Sequence, residues 1–125
     1  MSAALEIGKK VVEMCNAGKA EEAVDVLYAD DIVSIEAQGS EEMPARMEGI
    51  EAIKGKGRWW FENHDVHSLE ATGPFVGHRD DQFVVHFEID VTQKATGQRI
   101  QMSEVGLYTV KNGKVAQEEF LYQVS

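Results

Sequence analysis

The chain has 125 residues, a formal charge of −10 and one cysteine. That length supports one domain, 1–125, with a single buried core. The charge repels phosphate backbones and anionic lipid surfaces, so nucleic acid and membrane surfaces are poor partners and a small neutral or cationic molecule is the better match.

The opening MSAALEIGKK lacks the apolar run of a signal peptide, and no window reaches the length of a bilayer span, so a cytoplasmic protein is expected. Ala4, Gly8, Val11, Val12 and Cys15 recur at helical spacing, and Asn16-Ala17-Gly18 supplies the stop. Cys15 falls on the apolar face and reads as a small core residue, with no disulfide partner and no redox role. Ala20, Ala23, Val24 and Leu27 predict a second, shorter helix, with Glu21 and Glu22 near its positive N-terminal end. Asp30-Asp31 is read as its break. The β-branched run Ile32, Val33 and Ile35 then predicts a strand that ends on Glu36. A carboxylate at that point can sit at the mouth of a pocket.

Residues 37–48 show no periodicity and read as a flexible lip. Gly49 opens a third helix in which Ile53, Gly57, Trp60 and His64 share one face, while Glu51, Lys54, Arg58 and Glu62 point elsewhere. Gly55 and Gly57 each cost about 1 kcal/mol relative to Ala inside a helix, which suggests close approach of another element or a ligand there. Trp59-Trp60-Phe61 is an aromatic run in which Trp60 has the phase to serve both core and ligand.

From Val66 the period changes to two. Residues 66–76 predict a strand broken at Gly73-Pro74, which demotes it to an edge or a bulge. Residues 82–92 are the clearest strand, with Phe83, Val85, Phe87, Ile89 and Val91 on the buried face and His86 beside Glu88 on the outer one. Residues 98–110 and 114–124 predict two more strands, joined at Asn112-Gly113. A three-residue loop with Val110 opposite Lys114 would put Gly106 opposite Glu118 and align Glu104, Glu118, Phe120 and Tyr122 on the pocket side. A turn of Asn112 and Gly113 alone would slip the pairing by one residue. His64 and His67 straddle a helix end and a strand start, and no metal site is expected from them. The order predicts an α+β fold: three N-terminal helices against a cone-shaped, curved, mostly antiparallel sheet.

The helix–helix–strand opening with Asn16-Ala17-Gly18 and Tyr28-Ala29-Asp30-Asp31, the Gly49-Ile50-Glu51-Ala52-Ile53 helix start, and the late Val110-Lys111-Asn112-Gly113-Lys114-Val115 hairpin together resemble the nuclear transport factor 2-like superfamily. The SnoaL-like and ketosteroid isomerase-like branches are the most similar. The resemblance implies a cystatin-like roll with an apolar pocket at one end, and a homodimer formed through the outer face of the sheet. Against the ketosteroid isomerase pattern, Glu36 falls where that branch has its aspartate general base. The branch's oxyanion tyrosine would fall at Val11 and its protonated aspartate at Gly106, so both donors are absent. The His and Asp of the polyketide cyclase branch correspond to Gly106 and Phe120.

These residues support an acid–base enzyme without cofactor or metal: an isomerase, cyclase, lyase or hydrolase acting on a small apolar carbonyl-type substrate. Glu36 is its catalytic carboxylate, with Glu104, Glu118 or Tyr122 as partner, because clustered carboxylates in an apolar site drive at least one pKa upward. Trp59, Trp60, Phe87, Glu104, Glu118, Phe120 and Tyr122 are the expected substrate-binding residues. Two other readings stay open: a non-catalytic small-ligand binder or carrier of the same fold, and a structural dimer module in which Glu104 and Glu118 are solvated or interfacial.

Overall fold

The computed structural model describes residues 2–124; the terminal residues of the expected domain, 1 and 125, lie outside the described residues. Three helices, α1 (Ala3–Asn16), α2 (Ala20–Leu27) and α3 (Ile50–Asn63), accompany six strands. These are β1 (Tyr28–Ile35), β2 (Arg46–Glu48), β3 (His64–Phe75), β4 (Gln82–Gln93), β5 (Arg99–Lys111) and β6 (Lys114–Leu121). They form one sheet in the order β2-β1-β6-β5-β4-β3, antiparallel throughout except where β1 runs parallel to β6. The fold is α+β, as expected.

The local chemistry explains the boundaries. The Ser2 side chain accepts from the Leu5 N–H and caps α1. At the other end Gly18 takes φ +76°, and the Lys19 N–H returns to the Met14 carbonyl at 2.8 Å, closing the helix with a left-handed turn. Asn16 does more than stop the helix. Its amide donates to the Ala71 carbonyl and accepts from the Ala71 N–H, at 2.9 and 2.7 Å, so it fastens the end of α1 to β3 as a strand neighbour would.

The core lies between α1 and the inner sheet face. Phe83, Val85, Phe87, Ile89 and Val91 are all buried, and they meet Ala4, Ile7 and Val11 of α1. One tight glycine contact is here. A Cβ at Gly8 would come within 2.7 Å of Pro74 Cβ and 3.0 Å of the Phe83 ring. At Gly55 and Gly57 a Cβ would meet nothing within 4 Å, so close approach of another element does not account for those two glycines.

Four further expectations change. Asp30-Asp31 does not break a helix but lies inside β1, whose ladder begins at Tyr28 beside Val115. The end of the expected lip forms β2, where Arg46, Met47 and Glu48 pair with Ile35, Ser34 and Val33. The inward face of α3 runs Ile53, Lys56, Trp60, and His64 falls outside the helix as its C-cap. The hairpin turn is Asn112 and Gly113 alone, both with positive φ, and Lys111 pairs with Lys114. A bulge between Thr109 and Val110 then shifts the register, so Tyr108 rather than Gly106 stands opposite Glu118, and Gly106 stands opposite Phe120.

Candidate active site

The alternation of β1 puts Ile32 and Ser34 on the inner face, and Glu36 follows one residue past the strand, its N–H bound to the Ala45 carbonyl at 2.7 Å. The parallel pairing of β1 with β6 sets Ser34 beside Glu118. Because the two-residue turn and the bulge each shift the expected β5–β6 register by one residue, two in all, side-chain facing is preserved, and Glu118, Phe120 and Glu104 share the inner side. From the opposite wall α3 contributes Lys56, one turn beyond the buried Ile53.

These side chains make one polar chain. Glu36 Oε1 lies 2.7 Å from Lys56 Nζ, and both side chains are about four-fifths buried, with 23% and 19% exposure. Lys56 Nζ also donates to Ser34 Oγ at 3.0 Å, and Ser34 donates on to Glu118 Oε2 at 2.7 Å. The Tyr28 hydroxyl donates to the other oxygen, Glu118 Oε1. Lys56 Nζ further sits 5.5 Å from the centre of the Phe120 ring. Among the described residues no buried side-chain polar atom lacks a partner.

The electrostatics follow from one cation facing several acids. Burial, then the charge of Glu36, pushes the Glu104 carboxyl up to about 7, against the opposing pull of Lys56. Glu104 is flanked by Phe87, its partner on β4, and Phe87 lies 6.4 Å from Phe120, so two aromatic rings help to exclude water. Burial also raises the Glu118 carboxyl, while hydrogen bonds from Tyr28 and Ser34 and the charge of Lys56 work the other way. Tyr28 and Tyr108 are driven well above their ordinary range by burial and by Glu118, so both remain hydroxyl donors. Tyr122 is raised by burial and by Glu36. Cys15 is pushed up to about 11 by burial and then by Glu118, which keeps it a thiol.

The expected site residues divide. The structure brings Glu36, Glu104, Glu118 and Phe120 together, with Phe87 packed behind them and Tyr122 within the influence of Glu36. Trp60 is half-buried at the edge of the core, stacked on His64 with ring centres 4.6 Å apart. Trp59 is 41% exposed and turns its ring against His64, and it does not join the carboxylates. The floor of the cone is packed with aromatic rings: Tyr108 stacks on Phe83 at 4.7 Å and folds across Gly106, where a Cβ would meet the Tyr108 ring at 2.8 Å. Access to the polar chain is therefore at its Glu36–Lys56 end. A separate surface concavity of about 310 Å3, lined by Cys15, Lys19, Glu22, Phe61 and Leu69, contains none of the expected site residues.

Three members of the chain went unread in the sequence. Ser34 and Tyr28 had a signal, since both lie in phase with the buried Ile32 on β1. Lys56 had a weaker one in the Ile53–Lys56–Trp60 spacing, which the polar residues around it masked. His64 Nδ1 lies 2.8 Å from the Trp60 carbonyl and His67 Nε2 2.7 Å from Thr92 Oγ1, so these two imidazoles have different partners. Among the described residues no group of three His, Cys, Asp or Glu is placed to hold a metal ion.

Comparisons with known proteins agree on the family and the fold. The family model of the SnoaL-like domain matches residues 2–122. A Mesorhizobium loti protein described as a candidate SnoaL-like polyketide cyclase, with carbohydrate phosphatase as a second description, is 47% identical; the match covers 94% of this chain and 97% of that one, with a TM-score of 0.86. A candidate isomerase from Bacillus subtilis shares the fold at 19% identity, 97% and 86% coverage and a TM-score of 0.73. A Mycobacterium tuberculosis protein in complex with estradiol-17beta-hemisuccinate does so at 16% identity, 99% and 96% coverage and a TM-score of 0.76. No curated protein matches the sequence.

Proposed function

This chain belongs to the SnoaL-like domain family, and from that premise we propose that it is a small-molecule pocket protein that transfers protons on an apolar, carbonyl-type substrate. The observation that carries this reading is the largely buried Glu36–Lys56 ion pair at 2.7 Å, whose charges both act on the Glu104 carboxyl, pushed up to about 7 by burial and then by Glu36. A group that titrates near neutrality exchanges protons in both directions at little cost, which is the requirement for general acid–base catalysis.

Roles follow from placement. Glu36, at the open end of the chain of hydrogen bonds, accepts the substrate proton, and protonated Glu104 donates one. Lys56 supplies positive charge against the negative charge that develops on the substrate. Glu118, Ser34 and Tyr28 brace Lys56 from beneath. Phe87, Phe120, Trp60 and Tyr122 give the substrate its apolar and hydroxyl contacts, with Trp59 at the outer margin. No cofactor enters this scheme. The chain acts as one domain, within the cytoplasm, where a free Cys15 thiol is chemically at home. Its outer sheet face, which carries His86, Ser103 and Glu88, is offered to a second copy of the chain. The reading fits a family whose 47% identical member is described as a candidate cyclase.

The test works whatever product the enzyme forms. Apolar ketones are incubated with the protein in D2O and exchange of their α-protons is followed by NMR. Acceleration that is lost in Glu36→Gln and in Glu104→Gln is the expected result. Ketones that bind, as thermal shift reports, but exchange no faster than in buffer would instead support the second reading, a binder or carrier. That reading is favoured by one observation, the complete internal pairing of the buried polar groups among the described residues.

A further inference from the structure

Lys56 has surroundings that an electrostatic role alone does not require. Its Nζ meets Glu36 at 2.7 Å, Ser34 Oγ at 3.0 Å and the face of Phe120 at 5.5 Å, at a partly exposed end of the polar chain. From β5, Glu104 feels the same cation, and from β6 so does Glu118. A cation at this point is thus stabilised by an ion pair, a hydroxyl and a ring face, and an iminium, which has one N–H in place of three, keeps the charge contacts with Glu36 and the ring and one of the two hydrogen bonds. An iminium ion places its positive charge at the same nitrogen.

We infer that Lys56 is a nucleophile that condenses with the aldehyde or ketone carbonyl of the substrate to form an imine, with Glu36 and Glu104 moving the protons; this rests on the carbonyl-directed acid–base reading above. The steps balance. The Lys56 ammonium gives one proton to Glu36, its direct partner, and the free amine adds to the carbonyl carbon, forming the C–N bond as the C=O π electrons move to oxygen. That oxygen takes a proton from Glu104, which recovers one from the new secondary ammonium, leaving a neutral carbinolamine. Glu36 then returns its proton to the hydroxyl, the C–O bond breaks, water departs and the nitrogen lone pair closes the C=N+ bond. The net change is carbonyl plus ammonium giving iminium plus water, with Glu36 again a carboxylate facing a cation. The iminium withdraws electrons from the neighbouring carbon, which supplies the stabilisation that α-proton removal needs without a separate oxyanion donor.

The experiment is reductive trapping. The full chain is treated with benzaldehyde and a limiting amount of sodium cyanoborohydride, and the modified lysines are located by peptide mass spectrometry. Reaction governed by access alone would favour Lys9 and Lys94, at 54% and 50% exposure, over Lys56 at 19%. The expected result is the reverse: Lys56 is labelled first, and Glu36→Gln slows that labelling while Lys9 and Lys94 are unaffected. Lys56→Arg keeps the cation and its ion pair, and should leave the melting temperature near wild type while this adduct disappears. Labelling that follows exposure, with Lys56 last, overturns the inference. So does α-proton exchange that continues at the wild-type rate in Lys56→Arg yet is lost in Glu36→Gln; that outcome leaves the acid–base reading intact. No exchange in the wild type, with Lys56 still labelled first, would fault the acid–base reading and leave the imine chemistry standing.

Discussion

On the outer face of the sheet Arg99 forks onto Asp90, at 2.9 and 2.7 Å, and holds that carboxyl below its ordinary range. On the inner face Lys56 pairs with Glu36 at 2.7 Å, yet the neighbouring Glu104 carboxyl is driven up to about 7. Both regions place a cation among carboxylates. They differ in stoichiometry and surroundings: outside, one guanidinium, itself 62% exposed, satisfies one carboxylate, whereas inside, one ammonium serves three carboxylates among Phe87, Phe120 and Tyr108. Poor solvation, compounded by the shortfall of positive charge, is what makes an ordinary glutamate a proton-exchanging group near pH 7.

Removing the inner cation should break the comparison most severely. Lys56→Met leaves Glu36 and Glu118 without their cation, and a loss of about 2–4 kcal/mol is expected at pH 7, below the full buried-pair figure because both partners of the ion pair keep some exposure. Urea denaturation measures it. The loss should shrink at pH 5, where protonation relieves the surplus negative charge. Ser34→Ala comes next. It strips a donor from Glu118 and an acceptor from Lys56, and should cost about 1–3 kcal/mol in the same assay.

Glu104→Gln sharpens the contrast through pH. Its folded pKa, about 7, lies above the ordinary 4.5, so the folded state binds the extra proton between those values. Stability from this group is therefore complete below about pH 4.5, falls as pH rises toward 7, and is level above it. Replacement by Gln should remove that slope and stabilise the protein at pH 8 by on the order of 1 kcal/mol, after discounting for partial exposure. Asp90→Asn should give the smallest effect and the opposite sign. Its depressed pKa adds stability above the ordinary aspartate range that is lost as pH falls through the lowered value, so the variant should differ from wild type only slightly at pH 7 and converge with it in acid.

How much of this was legible depended on how local the cause was. The alternation from Phe83 to Val91, the Asn16-Ala17-Gly18 stop and the Asn112-Gly113 turn are written in adjacent residues, and all three appear in the structure. Glu36, Glu104 and Glu118 were legible as a group because side-chain facing in a strand depends on parity, and a register error of two residues leaves parity unchanged. The bulge between Thr109 and Val110 was not, since it is chosen by the fit of two strands that meet through tertiary packing. β2 is three residues long, too short for any periodicity to show. Lys56 is not legible because a lysine on an amphipathic helix belongs in water unless acids await it inside, and those acids lie just past β1 and on β5 and β6. The closeness to another element that Gly55 and Gly57 suggest belongs instead to Gly8, whose absent side chain is felt only across the α1–sheet interface.

The most direct measurement is a 13C NMR titration of the glutamate side-chain carboxyls, with Glu104 assigned by its loss in Glu104→Gln. The account requires a midpoint near 7 for Glu104 that moves down in Glu36→Gln, where a repelling charge is gone, and up in Lys56→Met, where an attracting one is gone. A midpoint near the ordinary 4.5, indifferent to both substitutions, would contradict it.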